Sequence, residues 1–213
     1  FDVNSGVLSN IIILNSGVKY ENGQQVLVFG NTIGGSSPEN DLTFNIDNVV
    51  NSDYSFIGGG RSNTSIGNYS TLSGGYNNTS SANYSTLSGG RQNTSSANYS
   101  TVGGGYLNTI GTLFSNNGVI SQTIGGGQQN TISSYSGYYA LGGSTISGGY
   151  NNTTVSSYYG GQTIAGGWYN TTDQDYSNVG GGRQNTASGY GSTVSGGYKN
   201  TSSGNSVSYT HLT

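Results

Sequence analysis

Residues 55–109 read SFIGGGRSNTSIGNY (55–69), STLSGGYNNTSSANY (70–84), STLSGGRQNTSSANY (85–99) and STVGGGYLNT (100–109). The phrase returns at QTIGGGQQNT (122–131), STISGGYNNT (144–153), QTIAGGWYNT (162–171), SNVGGGRQNT (177–186) and STVSGGYKNT (192–201). Self-similarity at a short, nearly fixed period marks a solenoid, in which each repeat stacks on the one before.

Numbering the fifteen positions from Ser55, position 3 is always a branched aliphatic: Ile57, Leu72, Leu87, Val102, Ile124, Ile146, Ile164, Val179 and Val194. Positions 5 and 6 are Gly-Gly in every copy, and positions 9 and 10 are Asn-Thr. A fifteen-residue coil fits two short strands and two turns. The glycine pair marks one turn, because positive φ is free only for glycine. The asparagine lies near the other, and Asn63, Asn78, Asn93 and Asn108 would stack as a ladder of side-chain amides. Nine coils rising by about 4.8 Å each span roughly 43 Å. The predicted fold is therefore all-β: a parallel β-solenoid, or β-roll, of about nine fifteen-residue coils over 55–207.

One aliphatic per coil, with small groups such as Ser80, Ala82, Ser95 and Ala97 opposite it, is a thin interior. That burial alone does not offset the entropy of ordering fifteen residues. The remainder must come from hydrogen-bond ladders and from contact with other chains, so self-association is expected, most simply as a homotrimer. A single roll held by ladders alone is the alternative.

Position 7 reads Arg61, Tyr76, Arg91, Tyr106, Gln128, Tyr150, Trp168, Arg183, Tyr198. No two arginines are successive. In a stack, an arginine between tyrosines gains cation–π contact, whereas arginine on arginine repels. Arg61, Tyr76, Arg91 and Tyr106 are thus expected to form a second ladder, although block duplication would leave the same alternation.

The composition fits a regular, weakly charged ladder. Charged residues are 6% of 213, the net charge is −3, and 39 glycines accompany a single proline. Glycine without a G-X-Y period excludes collagen. The absence of cysteine removes disulfides and thiolate metal sites. Five basic residues against eight acidic ones leave no footprint for nucleic acid. No stretch has the apolar length of a membrane span. The chain opens on Phe1 and has no methionine, which reads as processing or as excision from a longer chain.

Residues 1–54 lie outside the phrase. They carry strand-like runs at Ile11–Leu14 and Val26–Phe29 and an alternating Leu42, Phe44, Ile46, separated by turn signals. This β-rich segment reads as a cap over the first coil, or as a junction to another domain.

Three successive coils are stretched, with extra residues entering between Thr109 and Gln122, Thr131 and Ser144, and Thr153 and Gln162. Entering at one place, they should project together, with the insertions over 110–121 and 132–143. Insertions in a solenoid map to loops, often on the binding face. Phe114, Tyr135, Tyr138, Tyr139, Tyr158, Tyr159 and the single Trp168 are the receptor-binding candidates. An aromatic, polar, weakly charged protrusion suits a glycan; the plainer alternative is rings packed on one another. Residues 208–213 depart from the phrase. With Val207 they form VSYTHLT, which resembles translated sequencing-adapter sequence, so His211 carries no functional argument.

The phrase GG-xx-NT followed five residues later by ST-Φ-xGG resembles repeats of trimeric autotransporter adhesin heads and of phage or viral tail-fibre shafts. The resemblance covers about 55–205. It implies a parallel β-roll, homotrimeric, extracellular, on a cell surface or a virion, that binds a host or matrix. The tyrosine and asparagine content and the three stretched coils depart from that pattern.

An enzyme needs a poised acid, base, nucleophile or metal. Asp173 and Asp175 are the only carboxylates within the nine copies, and they read as solvated. No catalytic residue, metal site or cofactor is expected. The first functional reading is a non-enzymatic extracellular adhesin or tail-fibre segment that binds surface glycans or other receptors. The second is a structural subunit of a head-to-tail extracellular filament. The third is an ice-binding solenoid, suggested by threonine at positions 2 and 10 but interrupted by bulky residues. N-x-S/T sequons add glycosylation as an expectation, at Asn63, Asn78, Asn93, Asn152, Asn170 and Asn200.

Overall fold

The structure, a computed structural model, describes residues 2–4, 7–9, 25–28, 42–45, 48–112, 121–134, 143–156 and 159–209. Near the N-terminus, β1 (Asp2–Asn4) pairs antiparallel with β2 (Val7–Ser9), and β3 (Gln25–Val28) pairs antiparallel with β4 (Leu42–Asn45). Ile11–Leu14 lie outside the described residues.

From β5 (Val49–Val50) and β6 (Phe56–Ile57) onward the chain winds between two parallel sheets of ten strands each. Positions 2 and 3 of each coil form the first sheet, as in Thr71–Leu72, Thr86–Leu87 and Thr101–Val102 in register. Positions 10 and 11 form the second, as in Thr79–Ser80 beside Thr94–Ser95. The chain is a parallel β-solenoid of about nine coils, with no helix among the described residues.

Two boundaries differ from the sequence reading. The roll begins before residue 55: Asn48 occupies position 9, and its side-chain oxygen accepts the Asn63 N–H at 3.0 Å. Val49–Val50 then open the second sheet against Thr64–Ser65. At the other end, Ser208–Tyr209 pair with Thr193–Val194 and continue the first sheet. Neither segment carries the Gly-Gly-x-x-Asn-Thr signature; backbone pairing extends the stack at both ends, joined at the first by the Asn48 side chain.

Inside, the position-3 aliphatics from Leu72 to Val194 are fully buried in one column. Facing them are columns 1 and 11, which are mostly polar. Ser65 bonds Ser70, Ser80 bonds Ser85, and Ser95 bonds Ser100, each at 2.6 Å. Hydroxyl pairs of this kind let a narrow interior dispense with bulky side chains while the paired donors stay satisfied; further along column 11, the buried Thr154 and Thr172 hydroxyls have no hydrogen-bond partner among the described residues. In the stretched coils the second-sheet strands lengthen to Thr109–Thr112, Thr131–Ser134 and Thr153–Ser156. There the columns enlarge: Ile110 and Ile132 replace serine, and the buried Gln122 and Gln162 fill position 1. Gln122 donates to the Ser134 hydroxyl, and Ser144 donates to the Gln162 side-chain carbonyl. Ile110–Thr112 and Ile132–Ser134 are therefore part of the roll, and the insertions are shorter than 110–121 and 132–143.

The asparagine column is the tightest feature of the interior. Asn93 is fully buried. Its Nδ2 donates to the Gly89 carbonyl of its own coil at 3.0 Å and to the Gly105 carbonyl of the next at 2.8 Å. Its Oδ1 accepts the Asn108 N–H at 2.9 Å. The same set recurs at Asn63, Asn78 and Asn108. Each amide thus ties two glycine corners and one backbone N–H across consecutive coils. Position 6 must be glycine for a second reason besides its φ of 97° at Gly75: a Cβ there would overlap the Gly90 carbonyl oxygen.

This burial corrects the glycosylation expectation. Asn63, Asn78, Asn93, Asn152 and Asn170 have no exposed surface and Asn200 is 7% exposed. Their Nδ2 atoms are engaged in the ladder. The folded roll does not present these amides to a transferase.

Candidate functional site

Each coil turns two corners, and they have different chemistry. Corner one, positions 4–9, leads from the first sheet to the second. Corner two, positions 12–15 and position 1 of the next coil, leads back. Within strands the N–H groups donate to the following coil, as Thr79 does to Asn93. At position 8 the direction reverses: Gln92 N–H donates back to the Tyr76 carbonyl at 2.9 Å. That reversal requires a left-handed residue. Position 8 has φ between 52° and 57° in all nine coils, on Ser62, Asn77, Gln92, Leu107, Gln129, Asn151, Tyr169, Gln184 and Lys199. Position 15 does the same at Tyr69, Tyr84 and Tyr99.

On corner one, position 7 forms a continuous row of parallel bridges from Arg61 to Tyr198. The Arg91 guanidinium carbon lies 5.8 Å from the Tyr76 ring centre and 5.4 Å from that of Tyr106. Further along, Arg183 lies over Tyr198 at 5.7 Å, and Lys199 over the same ring at 5.0 Å. Between these stretches the row changes character. Trp168 is 56% exposed, 6.0 Å from Tyr150 and tilted to it. Tyr169 meets Tyr150 edge to face at 5.3 Å. A hydrogen bond with the Tyr169 side chain raises the Tyr150 phenol above the ordinary tyrosine range. These residues, with Gln128, Arg183 and the backbone of Gly127 and Gly149, line a shallow open depression of about 650 Å³.

On corner two, the rings of Tyr54, Tyr69, Tyr84 and Tyr99 stack in a file, with centres 4.9, 5.0 and 4.8 Å apart and planes within 9° of parallel. The sequence reading missed this file; its signal is the Asn-Tyr at positions 14 and 15 of three successive copies. Asp175, expected to be solvated, is 4% exposed. Its carboxylate accepts the N–H groups of Tyr159 and Gly160 at 3.0 Å, the position that Asn83 fills for Asn68 elsewhere. Asp173 is exposed.

The receptor-binding candidates do not form one site. Phe114, Tyr135, Tyr138, Tyr139 and Tyr158 lie outside the described residues. Tyr159 is exposed on corner two and stacks loosely with Tyr176, centres 6.4 Å apart. Trp168 is on corner one, the opposite turn of the coil, among its position-7 neighbours Gln128, Tyr150 and Arg183 and apart from the insertions. The three insertions do leave from one place: each lies between a lengthened second-sheet strand and the next first-sheet strand, in three consecutive coils.

Charge divides the same way. From residue 48 to 209, Arg61, Arg91, Arg183 and Lys199 are the cations, all at positions 7 or 8, on corner one. The acids there are Asp53, Asp173 and Asp175, all on corner two. Among the described residues, no cluster of histidine or carboxylate side chains could hold a metal ion. No helix among them is long and apolar enough to cross a membrane.

No protein-family model matches this chain, and no curated protein does.

Proposed function

We propose that this β-solenoid is a non-enzymatic extracellular fibre segment, of adhesin-head or tail-fibre type, that presents binding loops to surface glycans or other receptors. The observation that carries the reading is the shared origin of the three insertions, on consecutive rungs of one corner. The roll beneath them is rigid because every rung is tied to the next by the asparagine ladder and two parallel sheets. A rigid post with adjacent loops suits recognition of an extended partner, since little ordering entropy is lost on binding. Self-association as a homotrimer belongs to the same proposal: the arginine–aromatic row at position 7 and the tyrosine file at position 15 run along the axis, where a parallel copy can cover them.

The test is a pair of deletions, 114–120 and 136–142, which restore the fifteen-residue spacing found elsewhere in the stack. The shortened protein should keep its circular-dichroism spectrum and its melting transition but lose retention on a glycan array or on cells. Retention equal to that of the intact chain removes the loops as the binding surface.

A further inference from the structure

We propose that the corner-one depression around Trp168 is a subsite for an acidic saccharide, a pyranose bearing a carboxylate. The inference rests on the glycan-binding reading above but places the contact on the corner opposite the insertions. Three observations converge on it. The regular arginine–tyrosine alternation breaks between Gln128 and Arg183, and there the largest ring of the chain stands 56% exposed. Tyr150 lies against that ring and is itself met edge to face by Tyr169, so little side-chain freedom is lost when a ligand stacks on it. Arg183 lines the depression and is held over Tyr198, on the corner that carries every cation of the roll.

A pyranose offers an apolar C–H face to an indole and polar groups at its rim. A carboxylate at the rim would meet the Arg183 guanidinium one rung beyond Trp168, where two-pronged hydrogen bonding gives both strength and orientation. The acids of the roll lie on the other corner, so none opposes an anion here. A neutral sugar would gain the stacking alone. A nucleic-acid strand could also use rings and cations, but it would approach a chain of net charge −3 with four cations spread along one edge.

Trp168 is the only tryptophan, so its fluorescence reports on this site and no other. Intact protein is titrated with a galacturonic-acid oligomer, a neutral galactose oligomer of equal length, and a single-stranded oligonucleotide of equal charge. The expected result is a saturable change with the galacturonate and binding at least tenfold weaker for the neutral oligomer. Arg183→Gln should weaken the galacturonate by about tenfold, the worth of a charge-assisted hydrogen bond at the low end of its range. Arg61→Gln, far along the row, should leave it unchanged. Equal response to the neutral oligomer, a stronger response to the oligonucleotide, no saturable response, or an indifferent Arg183→Gln variant each overturns the subsite. A glycan array separates this failure from that of the broader reading: glycans retained equally by wild type and Trp168→Ala leave the fibre reading standing without this subsite, and an array that retains nothing removes both.

Discussion

Replacing Asn93 by alanine tests whether the buried amide column holds the coils together. The side chain has three hydrogen bonds to lose besides a longer one to the Asn78 side chain, but not all count equally. The Gly105 carbonyl keeps the Arg91 N–H at 2.9 Å. The Gly89 carbonyl loses its Asn93 donor, and the Asn108 N–H loses the Asn93 oxygen that accepts it. A buried polar group left without a partner costs about 1–3 kcal/mol. Two such groups give about 2–6 kcal/mol, centred near 4, which for a chain of this size lowers the melting temperature by about 8–16 °C. Asn200→Ala is the internal control: among the described residues its Nδ2 meets only the Gly196 carbonyl, at 2.8 Å, and one lost group costs about 1–3 kcal/mol. Ser88→Ala, on an exposed outer position, should stay within about 0.5 kcal/mol of wild type. Thermal melts followed by circular dichroism rank the three. A loss in Asn93→Ala no larger than in Ser88→Ala would refute the reasoning. Asn93→Asp adds a pH signature. One carboxyl oxygen would face the Gly89 and Gly105 carbonyls in a buried place, so the neutral form is favoured and the folded-state pKa lies above the unfolded value of about 3.9. The native state then binds its proton more tightly than the unfolded chain. Stability relative to wild type is best below about pH 3.9 and falls as pH rises toward the folded pKa.

Three further outcomes follow from the corners. Tyr76→Arg sets guanidinium groups on three successive rungs and removes a ring from Arg91, so it should melt lower than Tyr76→Gln, with part of the difference recovered in high salt. Gln92→Gly should stabilise by about 0.5–1 kcal/mol, because relief of the left-handed strain exceeds the added entropy of the unfolded chain. Tyr84→Gly relieves the same strain but loses two stacked neighbours, each worth about 0.5–1.5 kcal/mol, and should destabilise; chemical denaturation of the two variants gives the comparison. Expressed in a glycosylating host, folded secreted protein should carry sugar at the exposed Asn68, Asn77 or Asn83 and none at Asn63, Asn78, Asn93, Asn152, Asn170 or Asn200. Glycopeptide mapping that found an occupied Asn93 in protein with an intact melting transition would contradict the burial of the column.

The period, the two strands per coil and the aliphatic column were legible because each has a narrow chemical solution. A thin interior accepts only a branched aliphatic at position 3, and a corner where backbone meets backbone accepts only glycine at position 6. Position 9 was legible as constant but not as buried, since asparagine is ordinarily a surface residue; the glycine carbonyls of its own coil and the next, with the N–H of the next asparagine, make burial favourable. Position 8 was illegible for the opposite reason. A left-handed conformation costs little beside the hydrogen bond it allows, so serine, asparagine, glutamine, leucine, tyrosine and lysine all occupy it, and the column shows no common chemistry. Asn48 was missed because its ladder contacts, its oxygen on the Asn63 N–H and its Nδ2 on the Gly60 carbonyl, survive where the rest of the phrase has gone. In a stack the unit of meaning is the column read across coils. A uniform column therefore reports what the roll needs to stand. The places where a column stops repeating, Trp168 among arginines and tyrosines and the three stretched coils, are the ones on which the proposed recognition rests. That is why the architecture could be read from the repeats, while the binding chemistry has to be sought in the residues that break them.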